Sequence, residues 1–207
     1  MSRRALRFLA LSALAFVVGL FAARALFEPP TPPKLQQATW LPDGRPLPRF
    51  DLLDQDGRPF DGTAFTGRWT LVFFGFTSCP DVCPTTLATL AGVARRLADR
   101  PAGERPAVLM ISVDPERDRP ATLGNYVRAF DPAFQAATGT AEGVAAAARA
   151  FGVGYVRVSR PDGSYSVDHG SSVLVVDPRG RIVAVSPYPQ EPDALAADYL
   201  ALVDAQR

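Results

Sequence analysis

A mixed α/β fold is predicted by three observations on this chain. Two continuous apolar runs, WTLVFFGF over Trp69–Phe76 and AVLMISVD over Ala107–Asp114, read as buried central strands. Each is followed by a segment with helical period. Beyond residue 152 the pattern changes to short strands separated by turn residues.

The elements follow in order. Phe50–Leu53 and then Asp56-Gly57 predict a short hairpin that opens the domain. After the first buried run, Pro84–Arg100 places Leu87, Leu90, Val93, Ala94 and Leu97 on one helical face. After the second, Arg119–Phe130 does the same with Leu123, Val127 and Phe130, and a short strand is expected over 134–138. Thr140 is placed to cap an Ala-rich helix that ends at Phe151-Gly152. Tyr155–Ser159, the turn Pro161-Asp162-Gly163 and the return Ser164–Val167 predict a hairpin. A second one runs from Ser172–Asp177 through Asp177-Pro178-Arg179-Gly180 to Arg181–Ser186. Pro192–Ala205, with Leu195, Tyr199, Leu200 and Leu202, closes the chain as an amphipathic helix. This order is that of a thioredoxin-like fold, a central mixed sheet flanked by helices. The helix over 140–151 is an addition to it.

Two further segments precede that domain, which is expected over 47–207. Arg3, Arg4 and Arg7 stand before an apolar run from Phe8 to Ala23, with Arg24 behind it. The charge bias predicts a transmembrane anchor over 1–27 with its N-terminus in the cytoplasm. A cleaved signal peptide is the alternative, since Ala23-Arg24-Ala25 has the small-x-small form of a cleavage site. No cysteine follows the apolar run to take a lipid. Either way the domain is exported, where thiols can be oxidised. Residues 28–46 form a Pro-rich linker, expected to be a stiff, extended spacer whose end packs on the domain through Trp40.

Composition narrows the function. The 207 residues are 47% hydrophobic and 21% charged, with a net charge of +1. That is an ordinary globular balance and gives no basic field for nucleic acid. Lysine occurs once, at Lys34, against abundant Arg, Ala, Gly and Pro, the bias of a GC-rich bacterial genome. Two cysteines cannot staple a scaffold, so the fold must stand on its core.

Those two, Cys79 and Cys83, lie in FFGFTSCPDVCPTTL between the first buried strand and its helix. In open α/β sheets functional groups gather beyond the carboxyl ends of strands. A thiol at a helix N-terminus is also biased toward thiolate, which is both the nucleophile and the metal ligand. Residues i and i+4 on a helix have Cβ atoms about 5–6 Å apart, whereas a relaxed disulfide wants about 3.5–4.5 Å. Two sulfurs on one metal can be up to about 4.6 Å apart. The Cys-x-x-x-Cys spacing thus accepts a metal, and a disulfide with some adjustment. A static staple around so small a loop would restrict the unfolded chain little.

The chain's one histidine, His169, stands in SVDHGSSVLVVDPRG before a predicted strand. In the thioredoxin arrangement the loop entering that strand faces the cysteine-bearing helix. Redox thioredoxins place a cis-proline there; here the residues are Asp168, His169, Gly170 and Ser171. An imidazole opposite two thiolates suggests a third ligand, with Gly170 allowing close approach and Asp168 a candidate to orient the ring. Thiolate and imidazole suit copper(I), copper(II) or zinc, and residue types alone do not separate them.

The motifs FGFTSCPDVCPTTL, SVDPERDRP and VDHGSSVLVVDPRG, in that order, resemble the SCO/SenC family of copper-binding cytochrome c oxidase assembly proteins. The resemblance spans about residues 47–202. It implies a thioredoxin-like fold and copper ligands at Cys79, Cys83 and His169. It also implies a membrane-tethered copper metallochaperone of the bacterial inner membrane, its domain in the periplasm. Its partner would be the copper-site subunit of the oxidase, with a periplasmic copper donor or thiol reductant. The alternative is a thiol–disulfide oxidoreductase using Cys79 and Cys83 as its redox pair to reduce the cysteines of an oxidase subunit. A peroxide-linked redox sensor and a structural adaptor are weaker options. Asp81, between the cysteines, matches the family pattern and reads equally as a solvated helix-start carboxylate. Asp114–Pro120 ends a strand near the same crevice and reads most simply as a turn capping the next helix.

Overall fold

The computed structural model describes residues 3–27 and 32–206. The chain divides into two compact units, residues 1–31 and 32–207.

In the first unit, helix α1 covers Arg3–Phe27. Among the described residues no helix is long and apolar enough to cross a membrane, so the expected transmembrane anchor is not seen as a span. Arginines bound its apolar stretch. Between Arg7 and Arg24 stand sixteen uncharged residues, 8–23. They make about 24 Å of helix at about 1.5 Å per residue, short of a hydrocarbon core of about 30 Å. The part of the linker at residues 28–31 lies outside the described residues.

In the second unit the strands are β1 (Thr39–Pro46), β2 (Leu52–Asp54), β3 (Pro59–Phe60), β4 (Thr70–Gly75), β5 (Ala107–Ser112), β6 (Gln135–Thr138), β7 (Tyr155–Ser159), β8 (Tyr165–His169), β9 (Val173–Val176) and β10 (Arg181–Ser186). The helices are α2 (Val82–Arg96), α3 (Pro120–Arg128), α4 (Ala141–Phe151) and α5 (Pro192–Asp204). Eight strands form one sheet in the order β1-β10-β9-β4-β5-β6-β2-β3. β4, β5 and β6 run parallel at its centre, and β9 flanks β4 antiparallel. β7 and β8 form a separate two-stranded sheet. Every residue of β4 and β9 is buried, as their unbroken apolar sequences require.

Local chemistry sets the boundaries. Thr140 caps α4, its side chain accepting from Gly143 N–H at 3.1 Å. Gly152 ends the same helix in the left-handed region, φ 70°. That helix, the addition to the basic fold, is anchored by Phe151, whose ring meets Phe50, Phe65 and Phe74 at 5.9, 5.8 and 5.3 Å between centroids.

Two boundaries differ from expectation. Residues 39–46, assigned above to the linker, form β1 on the edge of the main sheet, paired with β10. The chain before it is fastened too. The buried carboxylate of Asp198 on α5 accepts backbone N–H groups from Gln36, Gln37 and Ala38. Composition marked this segment as extended, and three amides on one carboxylate give that extension a docking place. Second, the returning strand of the hairpin reaches His169 instead of stopping at Val167. The histidine therefore sits on a strand end, and the loop before β9 is only residues 170–172.

Phe151→Ala should destabilise the domain by about 3–5 kcal/mol, the usual cost of emptying a large aromatic site. Denaturant unfolding measures this, and a loss below about 1 kcal/mol would refute the anchoring role.

Candidate metal centre

The site grows from the carboxyl end of β4. The chain leaves the sheet at Gly75, turns, and enters α2 at Val82. Cys79 sits in the turn, its N–H donating to Phe76 O at 3.2 Å, and is half-buried. Cys83, in the first turn of α2, is fully buried. The N-cap residue Asp81 makes no side-chain capping bond. Instead Cys83 N–H donates to Cys79 Sγ at 3.4 Å. The sulfur thus takes an amide that a cap would take.

His169 comes from the other side, at the end of β8. Its Nε2 lies 3.7 Å from Cys83 Sγ. Its Nδ1 is 3.0 Å from the carbonyl of Gly170. A carbonyl can only accept, so the proton belongs on Nδ1 and Nε2 turns a lone pair toward the sulfurs. Two aromatic rings hold the imidazole edge-on, Phe73 at 6.1 Å and Phe76 at 5.8 Å between centroids. Asp168, expected as a possible ring partner, is exposed and does not make that bond; the strand alternation turns it outward.

The residues brought together are the three predicted ones. Ligand atoms of Cys79, Cys83 and His169 all lie within 4.8 Å of one another. With metal–sulfur and metal–nitrogen distances of about 2.3 and 2.0 Å, a 3.7 Å sulfur–nitrogen gap corresponds to about 120° at a shared ion. Two soft thiolates and a neutral imidazole are a donor set that fits copper(I).

Burial sets the proton inventory. It pushes the Cys83 thiol well above the ordinary cysteine range, aided by the hydrogen bond with Cys79. It holds the His169 imidazole below its ordinary value, hence neutral at pH 7. Both shifts favour an uncharged empty site.

Four residues of this region were not singled out from sequence. Gly75 is required by space: a Cβ there would lie 2.7 Å from the Phe73 ring and 3.0 Å from Cys83 Sγ. A glycine inside an apolar strand signals close approach, so FFGF held that clue. Phe76 touches both halves of the site. Asp118 and Thr77 shape the cysteine turn. The Asp118 carboxylate, buried, accepts from Thr77 N–H at 3.0 Å, from the Thr77 hydroxyl, and from Ser112 Oγ at 2.6 Å. Burial nevertheless raises its pKa. The segment Asp114–Pro120 therefore does more than begin a helix. α3 is capped by Arg119 with no side-chain bond, and Asp118 binds Thr77 in the cysteine turn instead. Asp81 is exposed, in keeping with a solvated helix-start carboxylate.

Three comparisons bear on this geometry. A family model described as SCO1/SenC matches residues 43–204. A Stutzerimonas stutzeri protein named for copper binding is 34% identical over 167 residues, covering 81% of each chain. The mitochondrial SCO2 homolog of Mus musculus is 40% identical over 132 residues, 63% of this chain but only 52% of the mouse protein. Among solved structures, Arabidopsis thaliana ScoI with copper bound superposes with a TM-score of 0.71 at 30% identity, covering 78% of this chain and 99% of that one.

Gly75→Ala should cost about 1–3 kcal/mol, the range for overpacking a filled core, and shift the Cys83 thiol; thermal unfolding unchanged from the parent would contradict the contact. A second expectation concerns pH. Because burial keeps Cys83 protonated when the site is empty, copper(I) must displace that proton. Apparent affinity should then rise as pH rises, by about tenfold per unit for each proton released. Competition titrations from pH 6.5 to 8.5 measure this, and a flat profile would overturn it.

Proposed function

The chain belongs to the SCO1/SenC family, and on that premise we propose that it is a copper metallochaperone. It holds copper on Cys79, Cys83 and His169 and passes it to the dinuclear copper site of cytochrome c oxidase. The observation that supports this most is the convergence of three soft or borderline ligand atoms within 4.8 Å, drawn from two elements far apart in sequence.

Each residue has a part in that task. Cys83 is fixed by burial, and the half-buried His169 beside it by the two phenylalanine rings. Cys79 stands at the half-open edge, where an incoming ligand from a partner can reach it. Copper supplies the positive charge that replaces thiol protons, so loading and release are coupled to proton exchange. The partners in this reading are the copper-site subunit of the oxidase and a copper donor outside the cytoplasm. The location is the periplasmic side of the bacterial inner membrane, with the N-terminal helix associating with that membrane.

A second reading, thiol–disulfide reduction, is favoured by the unequal setting of the two thiols. Cys79 is half-open and receives an amide hydrogen bond, as an attacking thiolate needs. It would attack a partner's disulfide, forming a mixed disulfide and releasing one partner thiolate. Cys83, on losing its proton, would then attack the Cys79 sulfur and release the second partner thiol. The partner is reduced by two electrons and Cys79–Cys83 is oxidised to a disulfide.

One set of variants separates the two. The fully reduced chain should bind one copper(I), and His169→Ala should weaken binding by at least about tenfold, the least expected of groups that govern a metal site. In cells, His169→Ala and Cys79→Ser should both lower oxidase activity, with added copper restoring the histidine variant in part. Unchanged copper affinity in His169→Ala would remove the three-ligand site. Full oxidase activity in that variant, with none in Cys79→Ser, would favour the reductase.

A further inference from the structure

Resting on the copper-carrying reading, we propose that Tyr165, clamped by Arg117, is a positioning residue for the His169 ligand. The difficulty it answers is mechanical. His169 belongs to the β7–β8 hairpin, which among the described residues shares no ladder with the eight-stranded sheet, and the cysteine turn leaves that sheet at β4. Of β8 only Val167 is fully buried. Strand alternation places Tyr165, Val167 and His169 on one face of the hairpin, so whatever grips Tyr165 fixes the face that presents the imidazole.

The grip is specific. The Tyr165 ring lies between two guanidinium groups, Arg117 at 4.0 Å and Arg157 at 3.6 Å. Its hydroxyl donates to Asp114 Oδ1 at 2.8 Å. Arg117 in turn is ion-paired to Asp114, whose side chain is almost wholly buried, and donates to the Tyr165 carbonyl at 3.3 Å. Arg157 is held by both oxygens of Glu116, at 3.0 and 2.8 Å. Arg117 also stands 5.7 Å over the Phe76 ring, and Phe76 is itself packed on His169. Two routes therefore lead from Arg117 to the imidazole, one along the strand and one through a shared ring. A planar guanidinium can stack and pair at once; an ammonium cannot.

The segment Asp114–Asp118 thereby serves both walls. Asp118 ties the cysteine turn through Thr77, and Asp114 with Arg117 ties the histidine hairpin through Tyr165. Burying charged groups there is explained by what they align.

The test is a double-mutant cycle on copper(I) affinity with the purified full chain, read by competition titration. Tyr165→Leu should weaken binding by about tenfold, the lower end for groups that orient a metal ligand. Tyr165→Phe, which keeps both stacks, should recover most of the loss. Arg117→Lys, which keeps the charge, should behave like Tyr165→Leu. In a His169→Ala background Tyr165→Leu should change affinity less than about twofold, because the ligand it positions is gone. The electron-spin spectrum of the copper(II) form of Tyr165→Leu should lose the nitrogen coupling of the imidazole. An equal loss in both backgrounds, or retained nitrogen coupling with unaltered affinity, would overturn the proposal. If His169→Ala alone leaves affinity unchanged, the copper-carrying reading fails instead, so the two failures are distinguishable.

Discussion

The buried Asp118 carboxylate, gripped by Thr77 and Ser112, ties the turn that carries Cys79 to the end of β5. On it depends the constraint that defines this protein. Cys83 and His169 are 86 residues apart in sequence; one sits on α2 beyond the main sheet and the other on a hairpin that, among the described residues, shares no strand pairing with that sheet. Three side chains brought within 4.8 Å that way need both walls registered to a common frame. The frame is the central parallel pair, whose carboxyl ends release the cysteine turn from β4 and the Asp114–Asp118 segment from β5. The hydrophobic core makes that pair rigid; the buried polar bonds transfer the rigidity to the side chains.

Burial does two jobs at the centre. It favours the neutral forms of Cys83 and His169, since desolvation penalises charge. It also grades the ligands from an enclosed Cys83 to a half-open Cys79. A carrier that must give up its cargo benefits from such a gradient, because exchange can begin at one ligand while the others still hold. The same gradient suits an attacking and a resolving thiol. Geometry alone therefore supports both chemistries at one pair of sulfurs.

Much of this was legible in the sequence. Continuous apolar runs announced β4 and β5, helical spacing announced α2, α3 and α5, and Thr140 with Gly152 bracketed α4. The three site residues stood out because cysteine and histidine are so scarce here. What was not legible depends on distant partners. Nothing in SVDPERDRP tells that Asp118 meets Thr77 or that Arg117 covers Tyr165, since those contacts exist only once β5 and the hairpin are packed. The strand over 39–46 was hidden by its prolines and turn residues, which composition reads as linker. The length of β8 was hidden because Asp168-His169-Gly170 looks like a loop until Val156 and Tyr155 pair with it.

The prolines of β1 have a consequence beyond the tether. The eight-stranded sheet ends in β1 on one side and in the two-residue β3 on the other. β1 includes Pro42 and Pro46 and its pairing shifts register between Trp40 and Arg45; β3 begins with Pro59. Prolines withhold amide donors, a shifted strand is a poor template, and a two-residue strand offers almost nothing to copy. Both borders of the sheet are therefore closed to a strand from another molecule, and the main sheet resists growing into fibrils.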